Sequence, residues 1–484
     1  MELLLTDHPK IQTTNNSNKI GVFTLVMISA ALIVSVRNLP MLAETGFHMI
    51  FYGLIAVLAF LLPVALVSAE LATGWPKQGG VYAWVGEAFG ERWGFVAIWL
   101  QWIQMVFGMV TVLAFIAGSL AFLIDQSLAS NGMFIFAVVF VVYWGATLLN
   151  FRGMKMSGII SSVCLIAGVL IPGTLIIALG AISLLKGDSS EMSFAFTTEN
   201  LFPNFNSFQN IALLSGIIFI FSGMEVSAAH ANEVQNPQRN YPKAIFFAAL
   251  LMVFLNIVGA ISVGIVVPRD EINLAAGVME AFKAFFDKFN LLWLLPIMAG
   301  LTAFGAMGQV STWILGPVKG LLSTAENGDL PPMFQKVNKN GIPVRLLVVQ
   351  ASLVTFFGLL FAVIPGVNEA FIMLLNVLIM LYCCMYILMF LAVLRLRYSE
   401  PDVKRAYTIP FGVVGVWFIA GLGILASVFV LFIGFFPPSQ LKIESAGIYR
   451  IFIASCLIGM LALPFIIYAL KKPTWKKEVQ NVNG

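Results

Sequence analysis

Charged residues are scarce in this chain: Asp, Glu, Lys and Arg together make up 10% of its 484 residues. A soluble domain carries about 25% charged residues, so the composition excludes an ordinary soluble fold. Hydrophobic residues make up 60% of the sequence, and the mean hydropathy is +0.94. These values predict an all-α, polytopic membrane protein built as one bundle.

Histidine and cysteine are also rare, with three and four residues respectively. The sequence contains no G-x-S-x-G motif, no H-E-x-x-H motif and no phosphate-binding loop, so we expect neither an enzyme nor a cofactor or metal. We expect no nucleic-acid partner either. The cysteines lie in apolar runs without metal-ligand spacing and are interpreted as packing residues: Cys164, Cys383, Cys384 and Cys456.

Long hydrophobic runs fill most of the remaining sequence. Twelve of them are long enough to cross about 30 Å of hydrocarbon as a helix. We number them segments 1 to 12, at residues 20–46, 48–72, 92–124, 132–150, 157–185, 208–232, 242–267, 291–326, 343–363, 367–396, 411–436 and 448–470.

Lysine and arginine are distributed unevenly among the regions that connect these segments. With the N-terminus inside, the inner regions hold about three times as many of them as the outer ones, as the positive-inside rule requires. Residues 1–19 and 471–484 are then short cytoplasmic tails around a membrane domain at 20–470. Residues 1–18 are polar and lack the apolar region of a signal peptide.

Segment 6 carries an acid near its middle, where Ser222-Gly223 is followed by Glu225. Such a residue is costly in lipid, at about 2.5–3.5 kcal/mol, so it faces a cavity or a partner. Glycine beside it allows the backbone to leave the helix. We interpret this stretch as a helix break at mid-membrane, which is typical of a transporter binding site.

Segment 1 is interrupted in the same way, by the sequence Ser35-Val36-Arg37-Asn38-Leu39-Pro40. Proline removes a backbone donor and clashes with the preceding turn, so a lipid-facing helix cannot continue here. Two broken segments five apart predict an inverted 5+5 repeat. The first repeat would cover residues 20–185 and the second 208–396, with two appended helices at 411–470.

Breaks of this kind suit an amino acid substrate. Helix N-termini favour a carboxylate, and unwound carbonyls favour an ammonium group. Arg37 adds a full positive charge that would bind an acidic side chain or the α-carboxylate. The alternative is that Arg37 pairs with Glu225 or with another acid of the membrane segments and only shapes the site.

Glu225 has three interpretations: a proton-coupled acid, a contact for the substrate amine, or a structural pin for the break. Phe219 and Trp313 are candidate aromatic gates, although packing or lipid contact is the more common role of a single aromatic in an apolar segment. Glu70, near the end of segment 2, is interpreted as a cap or loop anchor. Residues 272–289 predict a short amphipathic outer helix, either a lid or a passive surface element.

Several long stretches resemble the amino acid–polyamine–organocation superfamily and, within it, the glutamate/γ-aminobutyrate antiporter family. They lie at 69–95, 221–244, 267–282, 311–320 and 330–344, and similarity extends over nearly all of 20–470. The resemblance implies a leucine-transporter-type fold with twelve transmembrane helices and amino acid exchange by alternating access. It implies substrate-binding roles for Ser35, Val36, Arg37, Asn38, Leu39, Phe219, Ser222, Gly223, Glu225 and Trp313.

Two departures from the family pattern bear on function. The acid-resistance member has a Tyr-Glu pair at the first break, where this chain has Arg37-Asn38, so the substrate is expected to differ. That member also has a long C-terminal plug, whereas only residues 471–484 follow segment 12 here. We therefore expect no plug-type pH gating.

The sequence thus predicts an antiporter of amino acids in the bacterial inner membrane, of the glutamate/γ-aminobutyrate type. Its partners would be small amino acid substrates and membrane lipid. One alternative is a proton-coupled amino acid symporter of the same fold, and another is a sensor that no longer transports.

Overall fold

Helices run through every apolar segment of the chain. The computed structural model describes residues 20–76, 79–152, 163–226, 234–438 and 446–476. Within these ranges the β-structure consists of one isolated bridge, between Ile20 and Val234. The all-α prediction is confirmed for this part of the chain.

Ten helices are long and apolar enough to cross a membrane, and they coincide with segments 2–5 and 7–12. They establish a multi-pass membrane protein. The helices are Gly46–Gly74, Glu91–Ile124, Gly132–Phe151, Val163–Leu185, Arg239–Val266, Leu292–Glu326, Val344–Val363, Val367–Ser399, Gly412–Ile433 and Ala446–Ala469.

Segments 1 and 6 contain shorter helices, so the count of twelve membrane helices stays a prediction. Segment 1 contains Val22–Ile33 and Leu39–Glu44, and segment 6 contains Phe208–Ile211 and Leu214–Ile220. Three other short helices lie between segments: Val81–Phe89, Thr198–Leu201 and Gly277–Lys288.

The long helices of segments 3 and 10 form the centre of the molecule and are largely buried. They pack against each other, and segment 3 also packs along segment 8. Segments 5 and 8 meet where Gly168 faces Gly305, so closely that a Cβ added to Gly168 would lie 2.2 Å from the Gly305 Cα. Small residues allow such close approach in membrane helices, where packing rather than the hydrophobic effect holds helices together.

The predicted amphipathic outer helix is present at Gly277–Lys288. It buries Phe282, Phe285 and Phe286, and a Cβ on Gly277 would lie 3.0 Å from the Pro40 ring. Burial raises the pKa of Glu280 to about 7, against the opposing effect of a hydrogen bond from the Asn273 amide. The helix therefore touches the part of segment 1 that follows its break.

A buried ionic cluster fixes the end of segment 2 to the loop after segment 10. The Arg397 guanidinium contacts both oxygens of Glu70, with Nε and an Nη each 2.9 Å away. The Arg405 Nε lies 3.6 Å from the same carboxylate, and the Ile409 amide donates to it at 2.8 Å. Glu70 is therefore a loop anchor, as the sequence predicts.

We predict that Glu70→Gln destabilises the folded protein, because two buried guanidinium groups would lose their shared anion. Breaking a buried ion pair costs about 3 kcal/mol or more. Thermal unfolding of the purified protein in detergent measures the effect. The control is Asp402→Asn, an exposed acid in the same loop. An equal, small shift for both variants would contradict the anchoring role.

Candidate functional site

The helix of segment 1 ends at Ile33, at mid-segment, as expected from the sequence. Val34 and Ser35 are extended, a short 3-10 turn covers Val36–Asn38, and the next helix begins at Leu39. The Ser35 hydroxyl accepts a hydrogen bond from the Arg37 amide at 3.3 Å. Side chains thus satisfy backbone groups that the break releases, which a membrane interior requires.

The helix of segment 6 ends in a matching position. Helix Leu214–Ile220 stops, and Gly223 has a φ of +98°, a conformation that L side chains rarely adopt. A Cβ at Gly223 would also lie 3.1 Å from the Ile33 side chain, at the end of the broken helix of segment 1. The Ser222 hydroxyl donates to the Phe219 carbonyl at 2.7 Å. Glycine is therefore required for both backbone geometry and close approach.

One cavity lies against both breaks and is closed by segments 3, 8 and 10. It brings together seven of the ten predicted site residues: Ser35, Arg37, Asn38, Phe219, Ser222, Gly223 and Trp313. Its other lining residues are Ile33, Gln104, Met105, Gly108, Met109, Val112, Ile220, Gln309, Leu378 and Tyr382. Such a mixture of apolar walls and a few convergent polar groups is typical of a small-molecule site.

Arg37 is the one full charge among the residues that line this cavity. Its guanidinium donates to the Thr111 hydroxyl of segment 3 at 2.7 Å, and its Nε finds no hydrogen-bond acceptor in the described part of the chain. No described carboxylate lies within ion-pair distance of it. The alternative that Arg37 pairs with Glu225 is therefore wrong for this structure.

Glu225 is held by two tyrosines of segment 10 instead. The Tyr382 hydroxyl donates to one carboxyl oxygen through a short hydrogen bond, and the Tyr386 hydroxyl donates to the other at 2.6 Å. The Gly223 amide in turn donates to the Tyr386 oxygen at 2.8 Å. This network ties the acid, the break and segment 10 together.

The surroundings of Glu225 act on its charge in opposite directions. The residue is 1% exposed and has no cationic partner among the described residues, and such burial disfavours an ionised carboxylate. Two hydroxyl donors favour it. Tyr382 also lines the cavity, whereas Glu225 itself does not, so the tyrosine lies between the acid and the cavity.

Two other predicted residues point away from the cavity. Val36 and Leu39 are fully buried and are not among the lining residues. A Cβ added to Gly259 of segment 7 would lie 2.9 Å from the Leu39 side chain, so Leu39 packs against that helix. These two positions contribute backbone and packing rather than a side chain at the site.

Sequence reasoning missed the polar groups that segments 3, 8 and 10 supply. Gln309 donates to the Val34 carbonyl at 3.1 Å, which satisfies an acceptor freed by the first break. Gln104 and Thr111 are buried in segment 3. The sequence feature that could have identified these residues is an amide or hydroxyl side chain inside a strongly apolar run. The two tyrosines spaced four residues apart in segment 10 are a second such feature.

The stretch after Glu225 continues with residues 227–233, which include His230 and Glu233 and lie outside the described residues. In the part of the chain that is described, no three His, Cys, Asp or Glu side chains gather as a metal site requires. At the cavity, Arg37, the two glutamines and the break offer ionic and hydrogen-bonding groups.

A family model for amino acid permeases matches residues 20–461. The chain belongs to the amino acid permease family. An uncharacterized transporter of Legionella pneumophila, lpg1691, is 40% identical over 453 residues, which cover 93% of this permease and 97% of that protein. A glutamate/gamma-aminobutyrate antiporter of Lactococcus lactis subsp. lactis is 33% identical over 461 residues, covering 94% and 91% of the two chains.

A more distant relative of the permease is a probable agmatine/putrescine antiporter, AguD, of Lactococcus lactis, 23% identical over 396 residues, or 82% and 83% of the two chains. The resemblance noted in the sequence is confirmed by these matches. The relatives are transporters, so the permease is a transporter of small molecules and not an enzyme.

We predict that Glu225→Gln alters the pH dependence of transport while leaving expression intact, because glutamine keeps the size of the side chain and removes its ionisable proton. The measurement is the pH profile of labelled amino acid uptake in proteoliposomes. Glu326→Gln, at an exposed acid ending the segment 8 helix, is the matched control. An unchanged profile with normal transport would reduce Glu225 to a structural pin.

Proposed function

We propose that this permease is an amino acid antiporter that exchanges an acidic amino acid, of the glutamate type, against γ-aminobutyrate. The observation that supports it is the Arg37 guanidinium, which lines the cavity without a carboxylate partner among the described residues. A buried cation needs a counter-charge, and a substrate carboxylate supplies one when it enters.

The chemistry of the two substrates fits one site. Glutamate and γ-aminobutyrate both carry an amine and a carboxylate at opposite ends of a short chain, and differ by the α-carboxylate. Arg37 would bind the shared carboxylate, held in position by Thr111. The backbone of the two breaks would receive the amine and, in glutamate, the second carboxylate.

The relatives support the same proposal. Two Lactococcus lactis proteins that are 33% identical to the permease over most of both chains are named as glutamate/gamma-aminobutyrate antiporters.

We also propose the arrangement that such exchange requires: twelve crossings, a 5+5 inverted repeat at residues 20–185 and 208–396, and helices 11 and 12 at 411–470. The bacterial inner membrane would hold residues 20–470, with the tails 1–19 and 471–484 in the cytoplasm. Support comes from the two interrupted segments, five apart, and from the Lys and Arg bias of the loops.

Proton-coupled symport is the second candidate. The observation that favours it is Glu225, a buried acid linked through Tyr382 to the wall of the cavity. Protonation of this acid would change the hydrogen bonds of Tyr382, and thereby couple a proton to the substrate site.

We predict that purified permease in proteoliposomes takes up labelled glutamate only when the vesicles contain an exchangeable amino acid. The vesicles are loaded with glutamate, with γ-aminobutyrate, or with neutral and basic amino acids, and uptake is followed at acidic and neutral pH. Uptake into empty vesicles driven by a pH gradient would replace antiport by symport. A complete lack of uptake under every load would contradict transport.

We predict that Arg37→Ala weakens the uptake of acidic amino acids by about tenfold or more, because a charge-assisted hydrogen bond contributes about 1.5–3 kcal/mol. Neutral α-amino acids, which lack the side-chain carboxylate that Arg37 would bind, should lose less, whereas γ-aminobutyrate, which keeps this carboxylate, should lose as much as glutamate. The uptake of acidic amino acids by Arg37→Lys should fall between that of the wild type and that of Arg37→Ala, since lysine keeps the charge but not the planar guanidinium.

The control for Arg37 is Lys319→Ala, an exposed cation of segment 8 that does not line the cavity. Initial rates of uptake for glutamate and for a neutral amino acid are compared in both variants. An equal loss of uptake for glutamate and for a neutral α-amino acid in Arg37→Ala would contradict a role of Arg37 in substrate selection.

A further inference from the structure

A second, entirely different cavity opens on the lipid-facing side of the molecule. It is a groove of about 290 Å³ between the helices of segments 2 and 7. The tyrosine hydroxyl is the one polar side-chain group among the residues that line it: Val57, Leu61, Leu62, Ala65, Leu66, Ala69, Pro242, Ile245, Phe246, Ala249, Leu250, Val253 and Tyr407.

The groove exists because small residues form its floor and large ones its edges. Ala65, Ala69 and Ala249 leave the space between the two helices. Phe246 and Leu250 are 63% and 55% exposed and stand beside it. A groove so apolar holds no partners for water, so a hydrocarbon is the occupant that suits it.

The length of the groove matches one acyl chain. The rise from Val57 to Ala69 is about 18 Å, and from Pro242 to Val253 about 16 Å, at 1.5 Å per helical residue. One leaflet of the hydrocarbon core is about 15 Å thick, half of the usual 30 Å. The groove therefore spans one leaflet rather than the whole membrane.

Tyr407 marks the end of the groove that lies at the membrane surface. Its amide donates to the Thr73 hydroxyl at 3.1 Å, next to the end of the segment 2 helix at Gly74. Pro242 belongs to the first turns of the segment 7 helix, which begins at Pro237. The loop after segment 10 thus closes the groove where a lipid headgroup would lie.

Two cations lie near this end of the groove, Arg239 one turn beyond Pro242 and Lys243 next to it. Arg239 is three residues before the lining residue Pro242, and Lys243 is three before Phe246, so both lie on the same side of the helix as the groove. Both are exposed. The N-terminus of this helix adds partial positive charge, and an anionic headgroup gains from all three.

We propose that this groove is a binding site for one anionic phospholipid, with an acyl chain between segments 2 and 7 and the headgroup phosphate at Arg239 and Lys243. A phospholipid suits the groove because the length and the apolar lining fit an acyl chain, and the positive charge at one end fits an anionic headgroup. It is independent of which amino acid the permease carries.

The test is native mass spectrometry of the full-length permease, released from detergent and titrated with phosphatidylglycerol or with phosphatidylcholine of the same acyl chains. We expect one phosphatidylglycerol to bind in preference to phosphatidylcholine. Lys243→Gln and Arg239→Gln should each weaken this preference by about fivefold, the contribution of one cation near an anionic headgroup. Ala249→Phe, which fills the groove, should abolish the bound lipid.

The matched control is Ala454→Phe, in segment 12 and outside the groove, which should bind phosphatidylglycerol as the wild type does. Equal binding of the two lipids by the wild type would overturn the headgroup assignment. Unchanged lipid binding by Ala249→Phe would overturn the groove. If the wild type shows the mass of a dimer and Ala249→Phe does not, the groove would be assigned to a second copy of the chain. If Ala249→Phe fails to fold, the preference for phosphatidylglycerol in Lys243→Gln and Arg239→Gln tests the proposal, and an unchanged preference in both variants would overturn it.

Discussion

The structure depends on one constraint: backbone groups released inside a membrane need partners from the protein. Two helices end in the middle of apolar segments, at Ile33 and Ile220, and lipid would offer no partners to the backbone groups that they free. The chain meets this need with side chains from other helices. Gln309 binds the Val34 carbonyl of one break, and Tyr386 accepts from the Gly223 amide of the other. The breaks are thus stable only within this particular packing.

The same packing determines which charges face the cavity. Because Tyr382 and Tyr386 satisfy Glu225, this acid does not neutralise Arg37, which is positioned by a neutral hydroxyl of Thr111. Arg37 therefore faces the cavity, whereas Glu225 lies behind Tyr382 as a separate group. Arg37 would recognise a substrate carboxylate, while Glu225 would respond to protons. The ionic cluster at Glu70, which joins the end of segment 2 to the loop after segment 10, is separate from both groups.

The sequence predicted the features that depend on local chemistry. Proline after Arg37-Asn38 and glycine before Glu225 located both breaks, and length and hydropathy located the membrane helices. It did not predict Gln309, Thr111 or the tyrosine pair as site residues, because their roles arise where distant segments pack together. The pairing of Arg37 with Glu225 was a reasonable alternative from charge alone, and only the tertiary arrangement of segment 10 decides against it.

The most direct test of this account is a cryo-EM structure of the permease saturated with glutamate. The account predicts substrate density in the cavity between the two breaks, with a carboxylate within hydrogen-bond distance of the Arg37 guanidinium and beside Thr111. It would be contradicted by substrate bound without contact to Arg37, or by an Arg37 side chain that pairs with a carboxylate of the protein in the bound state.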